Sequence, residues 1–217
     1  MLNRPRVKIC CISNTVEARM AIEYGASALG LVSEMPSGPG VITEESITKI
    51  AKVVPPPVAT FLLTCKQDAA SIIAQQQRCR VNTIQLCDHV EAHVYDELRR
   101  ALPGVSLVQV IHVAGREALD EASAVSGHVD ALLLDSGNQK LAVKELGGTG
   151  RRHDWGISRA IVEMVDVPVF LAGGLAPNNV AEAIETVHPF GLDVCSGVRT
   201  DGKLDEDKLE RFFAGIG

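Results

Sequence analysis

Short runs of apolar and β-branched residues alternate along this chain with longer segments in which apolar positions recur at helical spacing. Strands buried on both faces read as continuous apolar runs, so the alternation predicts parallel strands joined by crossover helices. Eight strands are expected, at Val7–Ile12, Ala28–Val32, Val58–Leu63, Thr83–Leu86, Ser106–Ile111, Ala131–Leu134, Val169–Leu171 and Leu192–Cys195. Helix starts carry local signals: Asn14-Thr15 ahead of Val16–Tyr24, Thr43 ahead of Glu44–Val53, and Pro177 opening Asn178–Val187. An open doubly wound sheet usually has fewer strands than eight, so the count predicts a closed (β/α)8 TIM barrel. With 217 residues, 46% of them hydrophobic, residues 1–217 suffice for one such domain and not for two.

Charge narrows the range of partners. The net charge is −6, and Lys and Arg are scattered instead of forming a stripe, so nucleic acid is excluded as a partner. No apolar stretch approaches the roughly 20 residues needed to cross a bilayer, and the start lacks the apolar core of a signal peptide. A cytoplasmic protein with no membrane partner is expected, monomeric or homodimeric. The six cysteines, Cys10, Cys11, Cys65, Cys79, Cys87 and Cys195, include no CxxC pair, which favours reduced thiols over disulfides or a metal site.

Candidate chemistry lies at strand ends. Phe170-Leu171-Ala172-Gly173-Gly174-Leu175 and Asp193-Val194-Cys195-Ser196-Gly197-Val198 each run from an apolar strand into a glycine-containing turn. Glycine lets backbone N–H groups approach an anion, and in barrels the loops after strands seven and eight commonly hold phosphate. A plainer reading is that Gly173, Gly174 and Gly197 only permit turns with positive φ. Asp135 follows three leucines, where an unpartnered carboxylate is costly, and can serve as a general acid or simply start the next loop. Cys10 ends the first strand and is either reactive or a small buried hydrophobe. Strand alternation predicts that Cys10 and Cys11 point to opposite sides, with Cys11 toward the helices. The long irregular stretch from Ser136 to His153 is expected to be functional, because it leaves the C-terminal end of the sixth strand.

These segments resemble a known family. Lys8-Ile9-Cys10, Leu132-Leu133-Leu134-Asp135-Ser136, Gly147-Gly148-Thr149-Gly150 with His153-Asp154-Trp155, Ala172-Gly173-Gly174-Leu175 with Pro177-Asn178-Asn179-Val180, and Asp193–Val198 are similar, in order, to the signatures of phosphoribosylanthranilate isomerase. The resemblance implies an Amadori rearrangement of N-(5'-phosphoribosyl)anthranilate in tryptophan biosynthesis, without metal or organic cofactor. It implies Cys10 as general base and Asp135 as general acid. Gly173, Gly174, Ser196 and Gly197 would hold the phosphate of the small-molecule substrate, and Asp193 would stand near its anthranilate end.

The pattern departs from the family at three places. Its Cys-Gly after the first strand is Cys10-Cys11 here, and its Gln-Leu-His-Gly is Gln85-Leu86-Cys87-Asp88. The arginine that grips the anthranilate carboxylate falls on Gly40, leaving Arg116, Arg151 or Arg199 as replacement cations, with Arg116 the chosen candidate. Two alternatives follow: an isomerase of another phosphorylated aminosugar, or a non-catalytic barrel that binds a phosphorylated metabolite. The presence of both Cys10 and Asp135 argues against the second, since binding alone needs neither.

Overall fold

The computed structural model describes residues 4–137, 143–147 and 150–217. Eight parallel strands close into a barrel in chain order: β1 (Arg6–Ile9), β2 (Ala28–Val32), β3 (Ala59–Thr64), β4 (Thr83–Leu86), β5 (Ser106–His112), β6 (Ala131–Asp135), β7 (Val169–Leu171) and β8 (Gly191–Val194). The helices are α1 (Thr15–Glu23), α2 (Glu44–Ala51), α3 (Ala69–Cys79), α4 (Ala92–Ala101), α5 (Glu117–Ser126), α6 (Trp155–Met164), α7 (Val180–Val187) and α8 (Glu206–Ala214). Closure comes from β1, which pairs with β8 on one side through Arg6↔Gly191 to Ile9↔Val194 and with β2 on the other. A short 3-10 helix (Ser196–Val198) and a small hairpin, β9 (Arg199–Thr200) with β10 (Lys203–Leu204), separate β8 from α8.

The strands sort their residues by parity. In β6, Leu132 and Leu134 join the apolar layer shared with the helices, whereas Ala131 and Leu133 belong to a second cluster inside the barrel. In β7, Val169 and Leu171 pack outward and Phe170 inward, with Ala172 continuing the inward set. Because side chains alternate, the next inward position of β6 is Asp135, at the C-terminal mouth. The three-leucine run therefore delivers a carboxylate to the barrel axis.

The helices begin where short polar side chains cap them. Asn14 Oδ1 accepts hydrogen bonds from the N–H groups of Val16 and Glu17, and Thr43 Oγ1 accepts from Ser46 N–H. Such caps contribute about 0.5–2 kcal/mol each. α7 starts at Val180, later than the predicted Asn178, because Asn179 is used in the preceding turn. Its side chain accepts from Ala176 N–H and donates to Gly174 O, tying the turn after β7 to the helix.

Candidate active site

A cavity of about 680 Å³, open mouth included, lies at the C-terminal end of the barrel. Cys10, Asp135, Gly173, Gly174, Asp193 and Ser196 all line it, so strand ends far apart in sequence meet there. Gly197 lies behind the wall. A Cβ on it would fall 1.9 Å from Leu175 O, so the turn after β8 packs directly on the turn after β7. Its need for glycine is space, not a positive φ, which corrects the simple turn reading for this residue. Gly173 and Gly174 have φ of 81° and 67°, and a Cβ on Gly174 would fall 2.9 Å from the Arg151 carbonyl carbon. Both restrictions thus apply at Gly174, which lies beneath the chain leading into α6.

Ser196 and Gly197 open the 3-10 helix, and N–H groups at a helix start have no partner within the helix. Such a short extra helix after the eighth strand is where barrel proteins present amides to phosphate.

Asp135 is nearly buried, and its Oδ1 accepts a 2.7 Å hydrogen bond from Ser136 N–H. Oδ2 lies where a Cβ on Gly147 would come within 2.6 Å, so the chain after β6 folds back over the carboxylate with φ of 127° at Gly147. Gly148 and Thr149 of the glycine-rich motif lie outside the described residues. Cys10 sits against β2, where residue 30 has no room for a Cβ: one would lie 2.8 Å from Cys10 Sγ and 3.1 Å from Lys8 Nζ.

Beneath these groups, Lys8 and Asp193 form an ion pair at 2.8 Å between neighbouring strands β1 and β8. Lys8 is fully buried, with its ammonium 5.3 Å from the Phe61 ring centroid. Burial pushes the Asp193 carboxyl above the usual range against the pull of Lys8, and Asp135 adds to the push. Burial also opposes the charge on Lys8, but Asp193 and the nearby sulfurs outweigh it and hold the ammonium protonated. In the sequence Lys8 stands out only as part of the Lys8-Ile9-Cys10 motif. Its signal was present, since a lysine between Val7 and Ile9 in a doubly buried strand demands a counter-charge.

The expected direction of Cys11 changes, and none of the three candidate arginines is in the cavity lining. Cys11 does not face the helices. β1 ends at Ile9, short of the predicted Ile12, and Cys11 has a left-handed φ of 60°, so strand alternation no longer governs its direction. Its side chain lines the cavity with Cys10, and its Sγ lies 2.8 Å from Cys195 Sγ. Arg199 lies outside the cavity lining. Its guanidinium donates to Glu17 and to the carbonyls of Cys10 and Cys11, the last at 2.7 Å. The pair is buried and fixes the backbone that carries Cys10. Arg116 stands exposed at the N-terminus of α5, outside the cavity lining, and exposed Arg151 pairs with Glu145. Among the described residues, no Lys or Arg lines the cavity. Nor is any described helix long and apolar enough to cross a membrane.

The family described as N-(5'phosphoribosyl)anthranilate (PRA) isomerase matches residues 7–214. The N-(5'-phosphoribosyl)anthranilate isomerase of Methanocella arvoryzae is 34% identical over 208 residues, covering 96% of this chain and 95% of the relative. The structure of phosphoribosyl anthranilate isomerase from Thermococcus kodakaraensis superposes with a TM-score of 0.82 at 27% identity, covering 98% of each chain. A phosphoribosyl anthranilate isomerase in complex with reduced 1-(o-carboxyphenylamino)-1-deoxyribulose 5-phosphate superposes with a TM-score of 0.78 at 27% identity, again over 98% of each. Agreement of fold, motif order and near-complete coverage places this chain in the N-(5'-phosphoribosyl)anthranilate isomerase family.

Proposed function

We propose that this chain rearranges N-(5'-phosphoribosyl)anthranilate to 1-(2-carboxyphenylamino)-1-deoxyribulose 5-phosphate, with Asp135 as general acid and Cys10 as general base. The observation that carries this reading is the meeting of Asp135, Cys10 and the two glycine turns on one cavity wall. Asp135 protonates the furanose ring oxygen as its bond to C1' breaks, leaving a protonated Schiff base. The Cys10 thiolate then removes the C2' proton, and the electrons shift toward nitrogen to give an enolamine that tautomerises to the aminoketose. The amides of Gly173, Gly174, Ser196 and Gly197 hold the phosphate and fix the sugar between the two groups, which supplies orientation as well as affinity. Asp193, held by Lys8, serves the anthranilate end of the substrate. The test is complementation of a tryptophan auxotroph lacking this step by the wild-type chain. Failure by a well-expressed protein, together with no turnover in vitro, would sink the proposal.

One observation favours a second reading. With no Lys or Arg among the described residues of the cavity lining, a carboxylate at the far end of the substrate meets no cation among those residues, which suits a phosphorylated aminosugar lacking that group. Comparing kcat/KM for phosphoribosylanthranilate with that for N-phosphoribosylaniline separates the two. A charge-assisted contact contributes roughly 1.5–3 kcal/mol, so a carboxylate that is read should favour the first substrate at least about tenfold. Equal values support the second reading.

A further inference from the structure

The sulfur atoms of Cys11 and Cys195 play no part in the proposed chemistry, yet they lie 2.8 Å apart at the cavity wall. They sit at the ends of adjacent strands: β1 and β8 are in register through Ile9↔Val194, and Cys10 N–H donates to Val194 O at 2.8 Å. Backbones of paired strands run about 4.8 Å apart, within the span a disulfide bridges. Cys11 reaches across because its left-handed φ turns the side chain into the cavity. Its Sγ is confined there between Cys195 and Pro39 O, 3.6 Å away. Among the described residues no group of three His, Cys, Asp or Glu side chains could hold a metal ion.

We infer that Cys11 and Cys195 are a site of reversible oxidation, closing to a disulfide when a hydroperoxide enters the cavity. Cys195 is the more exposed partner and takes the first step. Its thiolate attacks the peroxide, forming an S–O bond as the O–O bond breaks, and gives a sulfenic acid and hydroxide. The hydroxide released in that step takes the proton of the Cys11 thiol, and the Cys11 thiolate attacks the sulfenic sulfur. The S–S bond forms, the S–O bond breaks and hydroxide leaves, so two electrons have passed from the thiol pair to the peroxide. Cys195 suits the role of first nucleophile because the hydrogen bond to Cys11 and the Arg199 charge lower its thiol against the effect of burial. Moving the sulfurs from 2.8 Å to bonding distance takes about 0.8 Å, which the loop after β1 and the turn after β8 can absorb without unpairing the strands. The bond ties the backbone beside Cys10 to the turn that carries Ser196.

Hydrogen peroxide is the probe, applied to the native protein, followed by alkylation, trypsin digestion and mass spectrometry. Expected is a peptide pair, Ile9–Arg19 linked to Ala160–Arg199, lighter by two hydrogens than the sum of its parts, lost on treatment with a dithiol. Fragmentation between residues 10 and 11 assigns the linked sulfur on the wild-type chain, so no variant need fold for the result to count. The link should persist in Cys10→Ala and vanish in Cys11→Ala and Cys195→Ala. A bond at Cys10 instead, oxidation of Cys195 to the sulfinic acid without a link, or no link after Cys10 itself has been oxidised would each overturn the inference.

Discussion

A Cβ added to Gly40 would lie 2.5 Å from Cys11 Cβ and 2.8 Å from its Sγ. Gly40, with φ of 81°, packs on Cys11, which has φ of 60°. These are two of the positions where the chain departs from its family pattern, and the structure makes them neighbours. The family resemblance implies glycine at position 11 and arginine at position 40, where this chain carries cysteine and glycine. Side chains at positions 11 and 40 compete for the same space.

It follows that restoring the family's arginine alone should harm this protein. Gly40→Arg should lower stability by about 1–3 kcal/mol through overpacking, and kcat/KM should fall rather than rise. In Cys11→Gly/Gly40→Arg the contacts with the Cys11 side chain are gone, while the 3.0 Å approach to its Cα and a side chain at φ of 81° remain. A double-mutant cycle followed by urea denaturation should show coupling within about 0.5–3 kcal/mol, the range for residues in contact. Strict additivity would mean that the two positions do not meet.

Cys10→Ala and Asp135→Asn should each lower kcat by about 10²–10⁴, the usual contribution of a positioned acid or base. Circular dichroism should remain that of the parent. Losses below about tenfold in both variants, judged against that range, would return the two residues to structural roles.

Gly197→Ala should disable phosphate recognition. Its Cβ would collide with Leu175 O at 1.9 Å, and backbone must move to relieve it. We expect KM to rise and weak competitive inhibition by inorganic phosphate to disappear. Gly127→Ala is the control: it has φ of −70° at the end of α5 and nothing within 4 Å of the added atom. That change should stabilise the fold by about 0.4–1 kcal/mol through the unfolded chain. Unaltered phosphate inhibition in Gly197→Ala would place the anion elsewhere.

The Glu17–Arg199 pair should appear in the acid limb of stability. Burial raises the Glu17 carboxyl, but Arg199 and the N–H groups of Ser13 and Leu204 outweigh it, and the net shift is downward. A carboxyl with a depressed folded value contributes its full stability above the unfolded value, near 4.3. The contribution is lost as pH falls through the lower folded value. Glu17→Gln should therefore cost about 3–5 kcal/mol at pH 7, as expected on stranding one member of a buried pair, and make stability less dependent on pH below about 5. Denaturation at a series of pH values checks both. An unchanged acid slope would show that Glu17 titrates alike in the folded and unfolded chains.

The order of strands and helices, the closed barrel and the position of Cys10 and Asp135 at strand ends were legible in the sequence because they depend on local pattern, whereas the pairing of the two came from the family resemblance. Apolar runs, caps such as Asn14 and Thr43, and parity along β6 act over a few residues, and each leaves its mark in the order of amino acids. What only the tertiary structure decided involves residues far apart in sequence. Cys11 turns inward because its own φ is left-handed and Arg199, 188 positions later, holds its carbonyl. The same contact removes Arg199 from the candidate substrate cations. Gly197 is required by the approach of Leu175, and Gly40 by the approach of Cys11, neither of which periodicity can reveal. Lys8 gave a sign in the sequence, a buried charge in need of a partner, but which carboxylate answered it depended on the closure of β1 onto β8. Side-chain direction along a strand follows from alternation, whereas packing between strand ends is set by the three-dimensional path of the loops.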